Sequence, residues 1–360
     1  MNIYNFLLNI LTTLRPIFDP KSKVAFSIGE VDIAWYAVII LSGALTVAIF
    51  GYYHYGKRMG IGSDNVLTGV VFGLLFGILG ARLYYVIFTA SDGSIHYDNI
   101  IDVIDPRQGG LAIHGGVIGA MIFIVIYCKI KHIKILYLLE IVLPLILFAQ
   151  VVGRWGNFMN QEAFGGLVQV EGLGEVSKTT VLSDSILQAQ RNQLSRLLVP
   201  EFVINRMYIT YSSAEGFICP GYYYPTFLFE SVLNFIGFTA YMISRRFIKK
   251  ILVGDGISFY LIWYGIVRFF IETMRTDPLM LGNTGIKVAE LISIICIIAG
   301  ILFIVLRRVF KYKMVSCYDA LYKEGASLME EGYHITEPFI FQGIIDKFKK
   351  NKGNNKNVKK

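Results

Sequence analysis

Two arginines lie in stretches of the sequence that are otherwise strongly apolar. Arg154 belongs to the run 153–165 and Arg268 to the run 264–272, and both runs adjoin segments long enough to span a bilayer. Placing a guanidinium in hydrocarbon costs about 2.5 to 3.5 kcal/mol on insertion scales. We therefore expect both arginines to bind something anionic, and the commonest anionic group within reach of a membrane is a lipid phosphate.

The residues around Arg268 form a polar stripe. Tyr264, Arg268, Glu272 and Arg275 are spaced at i, i+4, i+8 and i+11, which places them on one face of an α-helix. Such a face on a membrane helix turns towards a protein cavity rather than acyl chains. Glu272 is expected to pair with Arg268 or Arg275 and to leave donors free for a phosphate. The alternative is an ion-pair ladder that only fixes helix packing.

The run that begins at Arg154 places amides and a carboxylate beside its cation. Gly156 allows close approach of another segment, and Asn157 is a helical neighbour of Arg154. Further polar or small residues then lead the chain out of the span: Asn160, Glu162 and Gly165. The alternative is an interfacial arginine that extends its charged group to water.

Two further candidates precede these runs. His114 is followed by Gly115 and Gly116, which leave room for a bulky group, and an imidazole is well suited to accept a proton near neutral pH. A structural histidine bonded to a backbone carbonyl is equally compatible with the sequence. Tyr36, next to Trp35, is either a site residue or part of an aromatic belt at the membrane interface.

The composition indicates a polytopic membrane protein. Of 360 residues, 54% are hydrophobic and only 17% charged, well below the charge of a soluble domain. The net charge of +8 lies mostly just beyond the ends of apolar runs, so it indicates membrane topology rather than nucleic-acid binding. The four cysteines and five histidines lack metal-ligand spacing. We expect no metal or cofactor and no disulfide framework.

Hydrophobic periodicity predicts an all-α protein with seven transmembrane helices. The predicted spans are 31–53, 66–90, 110–129, 135–155, 225–246, 256–274 and 285–308. Lysines and arginines cluster after spans one, three, five and seven, which puts the N-terminus outside and the C-terminus in the cytoplasm. Glycines of span two form a small-xxx-small face for helix packing.

The same pattern divides the chain into three parts. Residues 1–30 are expected to form an N-terminal interfacial segment, with a short helix in its first part. Residues 31–308 form the membrane domain, which includes an outer loop at 166–222 whose Gln/Arg/Ser/Leu-rich middle could form a short helix. Residues 309–360 form a polar cytoplasmic extension.

The run from Gly153 to Gly165 resembles the signature of bacterial prolipoprotein diacylglyceryl transferases, G-R-x-[GA]-N-F-x-N-x-E-x-x-G, with every fixed position filled. Further blocks of the family follow in the expected order: Trp35-Tyr36, Gly80-Ala81-Arg82, His114-Gly115-Gly116, Pro225 through Glu230, and Tyr264 through Glu272. Where the family often has histidine before Pro225, this chain has Tyr224, which argues against a second histidine acting there.

The resemblance implies a seven-span enzyme of the bacterial cytoplasmic membrane. It would transfer the diacylglyceryl group of phosphatidylglycerol to the lipobox cysteine in the signal peptide of a prolipoprotein, releasing glycerol phosphate. Arg154 and Arg268 would hold the lipid headgroup. Other site residues implied by the resemblance are His114, Tyr36, Asn157, Glu162, Gly165, Glu230, Tyr264 and Glu272. Asn160, from the polar run after Arg154, is a further candidate for substrate binding.

The residues and the resemblance support one mechanism. A thiolate from the substrate protein displaces a phosphate ester, whose growing charge the fixed guanidinium groups stabilise. Since a free thiol has a pKa of about 8.5, a base should help, and His114 is the candidate. The rival hypothesis is a transporter or channel for an anionic solute, which predicts repeat symmetry between halves of the chain. We find no internal repeat.

Overall fold

The computed structural model describes residues 24–28, 31–91, 112–212, 216–276, 280, 285–312, 314–323 and 326–331. Within them the chain is mostly helical. Its longer helices are α1 (Trp35–Gly51), α2 (Ser63–Ser91), α3 (Ile113–Ile130), α4 (Ile135–Asn160), α7 (Thr226–Phe247), α8 (Asp255–Met274) and α9 (Val288–Val309). Shorter helices are α5 (Asp184–Arg196), α6 (Glu201–Ile204) and α10 (Cys317–Leu321), and a π-helical turn, Tyr52–Gly56, follows α1.

The long helices agree with the predicted spans in position. Six of them are long and apolar enough to cross a membrane, whereas α3, apolar from His114 to Ile130, is shorter. The described chain is therefore a multi-pass membrane protein with six candidate spans, and the count of seven stays a prediction. The short helix predicted in the outer loop is present as α5.

The prediction of an all-α protein was wrong in detail, because two antiparallel hairpins accompany the helices. Strands β1 (Val24–Ile28) and β2 (Val31–Ala34) form the first, and β3 (Tyr208–Ser212) and β4 (Gly216–Tyr222) the second. Strands of four to seven residues are too short for their alternation to stand out in an apolar sequence. The helix predicted in the first part of segment 1–30 lies outside the described residues.

The described residues divide into two compact units. The first draws on Met1–Val47, Leu143–Arg245 and Asp255–Met314, and the second on Ala48–Val142, Arg246–Gly254 and Val315–Lys360. In the first unit, the loop between α4 and α7 packs on the ends of these two helices around buried apolar side chains. These include Phe158, Phe164, Val168, Leu194, Val203, Ile204 and Phe227. This core anchors the loop beside the end of α4, which carries the Arg154 run.

Helices α8 and α9 of the first unit approach closely through glycines. A Cβ on Gly265 would lie 2.7 Å from the carbonyl oxygen of Ser293, and one on Gly300 would lie 3.0 Å from that of Ser258. Both distances are below ordinary contact, so each glycine is needed for the helix crossing. The close packing fixes the face of α8 that bears Arg268.

In the second unit, α2 and α3 cross in the same way. The carbonyl oxygen of Gly115 stands where a Gly80 side chain would be, and the Cα of Gly119 would be 3.0 Å from it. This agrees with the packing face predicted for the span-two glycines.

The segment formed by residues 315–323 and 326–331 of the second unit binds the loops between several helices. Its backbone hydrogen bonds reach the connection after α1 at Met59, the connection after α3 at His132 and Lys134, and the connection after α7 at Ile251 and Val253. Buried Cys317, Leu321 and Leu328 secure it. The described part of the predicted polar extension is thus a packed element.

Candidate active site

Glu230, near the start of α7, joins the two arginines that the sequence singled out. Nη2 of Arg154 in α4 donates to Oε1 of Glu230 at 2.6 Å. Nη1 of Arg268 in α8 lies 3.7 Å from Oε2 of the same carboxylate. Two cations from separate helices of the first unit therefore converge on one anion.

The carboxylates of this cluster lie deeper than the guanidinium groups. Nη2 of Arg268 lies 2.7 Å from Oε2 of Glu272, one helical turn further along α8, as the spacing predicted. The side chains of Glu230 and Glu272 are 2% exposed, those of Arg268 and Arg154 14% and 23%. A ligand would therefore meet the cations first, while the anions behind them hold their positions.

Arg268 keeps one unused donor. Its Nη1 is buried and has no hydrogen-bond acceptor among the described residues, since 3.7 Å to Glu230 exceeds hydrogen-bond range. An unpaired buried donor costs about 1–3 kcal/mol. An anionic oxygen hydrogen-bonded to this nitrogen would remove that cost.

The run after Arg154 forms a hydrogen-bonded relay. Nη1 of Arg154 donates to Oδ1 of Asn157 at 3.3 Å, and Nδ2 of Asn157 donates to Oε1 of Glu162 at 3.1 Å. Nδ2 of Asn160 donates to the same Glu162 oxygen at 3.2 Å. The predicted amides and carboxylate thus come together, and they hold Nη1 of Arg154 while Glu230 holds Nη2.

Two glycines of the run provide close approaches. A Cβ on Gly156 would lie 2.7 Å from Cδ2 of Tyr36, so the missing side chain makes room for that ring. A Cβ on Gly165 would lie 3.0 Å from Cβ of Tyr224 and 3.1 Å from the carbonyl oxygen of Met274. Gly165 also donates its N–H to Tyr224 at 2.8 Å. The chain leaving α4 is thereby fixed against the end of α8 and the start of α7.

The two remaining residues of the polar stripe, Tyr264 in α8 and Arg275 just beyond its end, occupy different surroundings. The ring of Tyr264 stacks on that of Tyr260, with centroids 5.9 Å apart. Arg275 forms an isolated β-bridge with Gly165. Its backbone therefore belongs to the chain crossing at the end of α8.

His114 belongs to the second unit. Its side chain is exposed at the start of α3, and its ring centroid is 6.2 Å from that of Tyr84. The interpretation of Gly115 as space for a ligand was wrong, because the backbone of Gly80 and the Cβ of Tyr84 occupy the place of its side chain. The glycine beside His114 serves helix packing, so it says nothing about a ligand.

The sequence analysis missed a second polar layer in the first unit. Gln150, Asn234 and Tyr260 are joined by hydrogen bonds. Each stands four residues from a predicted site residue of its own helix: Arg154, Glu230 and Tyr264 respectively. That i±4 spacing was the available signal.

The cysteine of the loop between α4 and α7 is unsuited to nucleophilic attack. Cys219 is buried, and burial raises the pKa of its thiol. A thiol with a raised pKa carries little thiolate at neutral pH. This agrees with a reaction in which the nucleophilic sulfur comes from the substrate.

These features define a class: a multi-pass membrane protein with a buried arginine–carboxylate cluster built from three of its helices. The family model described as "Prolipoprotein diacylglyceryl transferase" matches residues 23–306. The chain belongs to that family. This is a family of transferases, so the match gives no support to the anion-transporter alternative.

Individual relatives agree with the family match. Proteins named phosphatidylglycerol–prolipoprotein diacylglyceryl transferase from Staphylococcus haemolyticus and Bacillus cytotoxicus are each 39% identical to this chain, over 304 and 286 residues. These alignments cover 84% and 79% of this chain and 92% of each relative. A Bacillus licheniformis protein of the same name is 37% identical over 308 residues, 86% of this chain and 100% of the relative.

Proposed function

We propose that this chain transfers the diacylglyceryl group of phosphatidylglycerol to the thiol of a lipobox cysteine in a prolipoprotein. The sulfur attacks the glycerol carbon that carries the phosphate, a carbon–sulfur bond forms, and the carbon–oxygen bond to the phosphate breaks. The thiol gives up its proton, and glycerol phosphate leaves with the bonding electrons. The reaction needs no metal and no cofactor.

One observation carries this proposal: two guanidinium groups held on a single buried carboxylate. Because Glu230 and Glu272 lie deeper than Arg154 and Arg268, a phosphate approaching from the accessible side would meet donors rather than acceptors. Fixed cations in a low-dielectric site stabilise the charge that develops on the leaving phosphate without having to reorganise.

The other candidate residues would support these two. Asn157, Asn160 and Glu162 would orient Arg154 through their hydrogen-bond relay. Tyr36, Gly165 and Tyr264 would complete the walls of the lipid site, as the family resemblance implies. Arg154 and Arg268 would both bind the headgroup and act on the reacting phosphate.

His114 is the proposed base for the substrate thiol. Its exposed side chain is accessible for proton transfer, and the imidazole suits that role near neutral pH. Tyr224 stands where family members often have histidine, so His114 is the base that the sequence offers.

The proposal includes a topology. The six candidate spans and α3 together would make seven transmembrane helices in the bacterial cytoplasmic membrane, with the N-terminus outside and the C-terminus in the cytoplasm. Residues 1–30 would lie at the interface, residues 31–308 would form the catalytic domain with its outer loop at 166–222, and residues 309–360 would form the cytoplasmic extension. Lipid and prolipoprotein would meet at the outer side.

A reconstituted assay tests the function directly. The purified full chain is incubated with phosphatidylglycerol vesicles and a synthetic lipobox peptide, and the peptide is weighed by mass spectrometry. We expect a mass increase of one diacylglyceryl group and release of glycerol phosphate. A peptide with serine in place of the lipobox cysteine is the matched control. An unmodified cysteine peptide with an intact, folded enzyme would contradict the proposal.

A further inference from the structure

The second polar layer continues the arginine cluster deeper into the first unit. Gln150 precedes Arg154 by four residues and Asn234 follows Glu230 by four. Four residues of helix amount to about 6 Å along the axis. Both residues lie further from the outer loop than their partners, since that loop joins the end of α4 to the start of α7. The layer therefore lies on the side where a bound lipid would place its acyl chains.

The hydrogen bonds of this layer run in one direction. Nδ2 of Asn234 donates to Oε1 of Gln150 at 3.4 Å, and Nε2 of Gln150 donates to the hydroxyl of Tyr260 at 3.1 Å. With the amides in this orientation, the Tyr260 hydroxyl acts as an acceptor. Its own hydrogen is not donated to any of the described residues. Asn234 is fully buried, so its side chain holds the first donor of this series of hydrogen bonds in place.

Open space adjoins α4 beside both layers. Gly153 stands three residues after Gln150, hence on the same side of α4, and directly before Arg154. Leaving aside its chain neighbours and the nearby backbone of its own helix, no described atom lies within 4 Å of the position that a Gly153 Cβ would take. This contrasts with Gly156 and Gly165, whose missing side chains make room for other parts of the protein.

We infer that the Tyr260 hydroxyl, oriented by Gln150 and Asn234, binds an acyl-ester carbonyl of the phospholipid whose phosphate Arg154 and Arg268 hold. In a glycerophospholipid the ester carbonyls follow the phosphate after the glycerol carbons, on the acyl-chain side. A carbonyl oxygen accepts hydrogen bonds and donates none, so it suits a hydroxyl whose hydrogen is free to be donated. The inference rests on the proposed function and adds to it a subsite that recognises ester-linked chains.

A change in the lipid tests the subsite without altering the protein. Diether phosphatidylglycerol keeps the phosphate, the glycerol and the reacting carbon but has no ester carbonyls. The wild-type chain should transfer its dialkylglyceryl group to the lipobox peptide about tenfold more slowly than the diacylglyceryl group, the effect of one lost hydrogen bond. Equal rates for the two lipids would overturn the inference.

Substitution of the hydroxyl completes a double-mutant cycle with the lipid. Tyr260→Phe should slow transfer from the diester about tenfold and leave transfer from the diether unchanged, so that the lipid preference disappears. Tyr241→Phe, also a tyrosine of a long helix in this unit and stacked on Phe259, is the matched control and should retain the preference. A Tyr260→Phe variant that slows both lipids equally would show a structural role only and overturn the inference.

Two further variants separate positioning from space. Gln150→Leu removes the donor that orients Tyr260, so the ester preference should fall while diether transfer stays constant; an unchanged preference would contradict the role of Gln150. Gly153→Leu fills the open space and should slow both lipids alike. If wild-type enzyme modifies the peptide with neither lipid, the proposed function itself fails, an outcome distinct from equal rates with both.

Discussion

Two clusters of arginine and carboxylate side chains lie at opposite ends of α8, and only one of them agrees with the preferences of the helix dipole. The Asp255 cluster consists of Asp255, Arg307 and Arg308. The Glu230 cluster consists of Glu230, Arg154, Arg268 and Glu272. Asp255, the first residue of α8, accepts from Arg307 at 3.2 Å and from Arg308 at 2.7 Å, both in the last turn of α9. An acidic residue at a helix N-terminus and basic residues at a C-terminus are each stabilised by the helix dipole. The cluster thus obeys local preference.

The cluster at the other end opposes that preference. Glu272 stands two residues before the end of α8, where the helix dipole disfavours an anion. Arg268 stands inside the same apolar helix, more than one turn from either end. Local rules are broken in natural proteins mainly where function requires it. The comparison teaches that the Asp255 cluster fastens helices, whereas the Glu230 cluster is kept for binding.

The same substitution in both clusters gives the largest expected difference. Arg268→Ala should lower the transfer rate about 1000-fold, because it removes a fixed cation from the developing charge. Arg308→Ala, whose side chain is about one-third exposed, should leave the rate within about twofold. Mass spectrometry of the peptide measures both, with membrane insertion checked by fractionation. Comparable losses in the two variants would erase the distinction.

Removing the charge of one carboxylate in each cluster sharpens the comparison between the clusters. Glu230→Gln should slow transfer about 100-fold, since both guanidinium groups lose their fixed position. Asp255→Asn should keep its activity. Both variants should lose stability, by about 3–5 kcal/mol, because each leaves arginines without their buried partner. Thermal unfolding in detergent measures the stability of both variants, and the peptide assay measures their transfer rates. Full activity of Glu230→Gln would show that Glu230 is not a site residue.

The proposed base belongs to neither cluster, and its contribution should depend on pH. His114→Ala should slow transfer about 100-fold near neutral pH, the size of a general-base effect. As the pH rises towards the thiol pKa of about 8.5, the substrate ionises unaided and the deficit should shrink. Rates measured from pH 6.5 to 9.5 test this. A deficit that is constant over the range would rule out the base role.

The smallest expected effect concerns the backbone beneath the Glu230 cluster. Gly165→Ala would force apart Tyr224, Thr226 and Met274, and should cost about 1–3 kcal/mol of stability. Gly166→Ala is the matched control, since nothing lies within 4 Å of its Cβ position. The melting temperature of Gly165→Ala should be lower than that of Gly166→Ala. If both alanines are tolerated equally, the close crossing at Gly165 is not required.

Much of the helical framework could be predicted from the sequence. Each predicted span overlaps a helix, and the i, i+4 pairing of Arg268 with Glu272 followed from helical spacing alone. Such features depend on a single element. The role of α9 as the partner of α8 through Gly265 and Gly300 did not follow, because it depends on two surfaces meeting.

The site could be predicted only in its parts. That Arg154 and Arg268 share Glu230 depends on three helices that are far apart in sequence, and periodicity within one helix carries no such information. Gly115 was misjudged for the same reason, since its neighbour Gly80 lies in another helix. Gln150, Asn234 and Tyr260 were overlooked because a single neutral polar residue is unremarkable in a membrane helix until its partners are known.

The segment formed by residues 315–323 and 326–331 lies beyond the family match, which ends at residue 306, yet it hydrogen-bonds to loops that precede α2, α4 and α8. During synthesis these loops leave the ribosome long before the segment that ties them. The second unit therefore closes only after α9 has been synthesised. A nascent chain halted just after α9 would contain the long helices described above. It would still lack the hydrogen bonds that join the loops of the second unit.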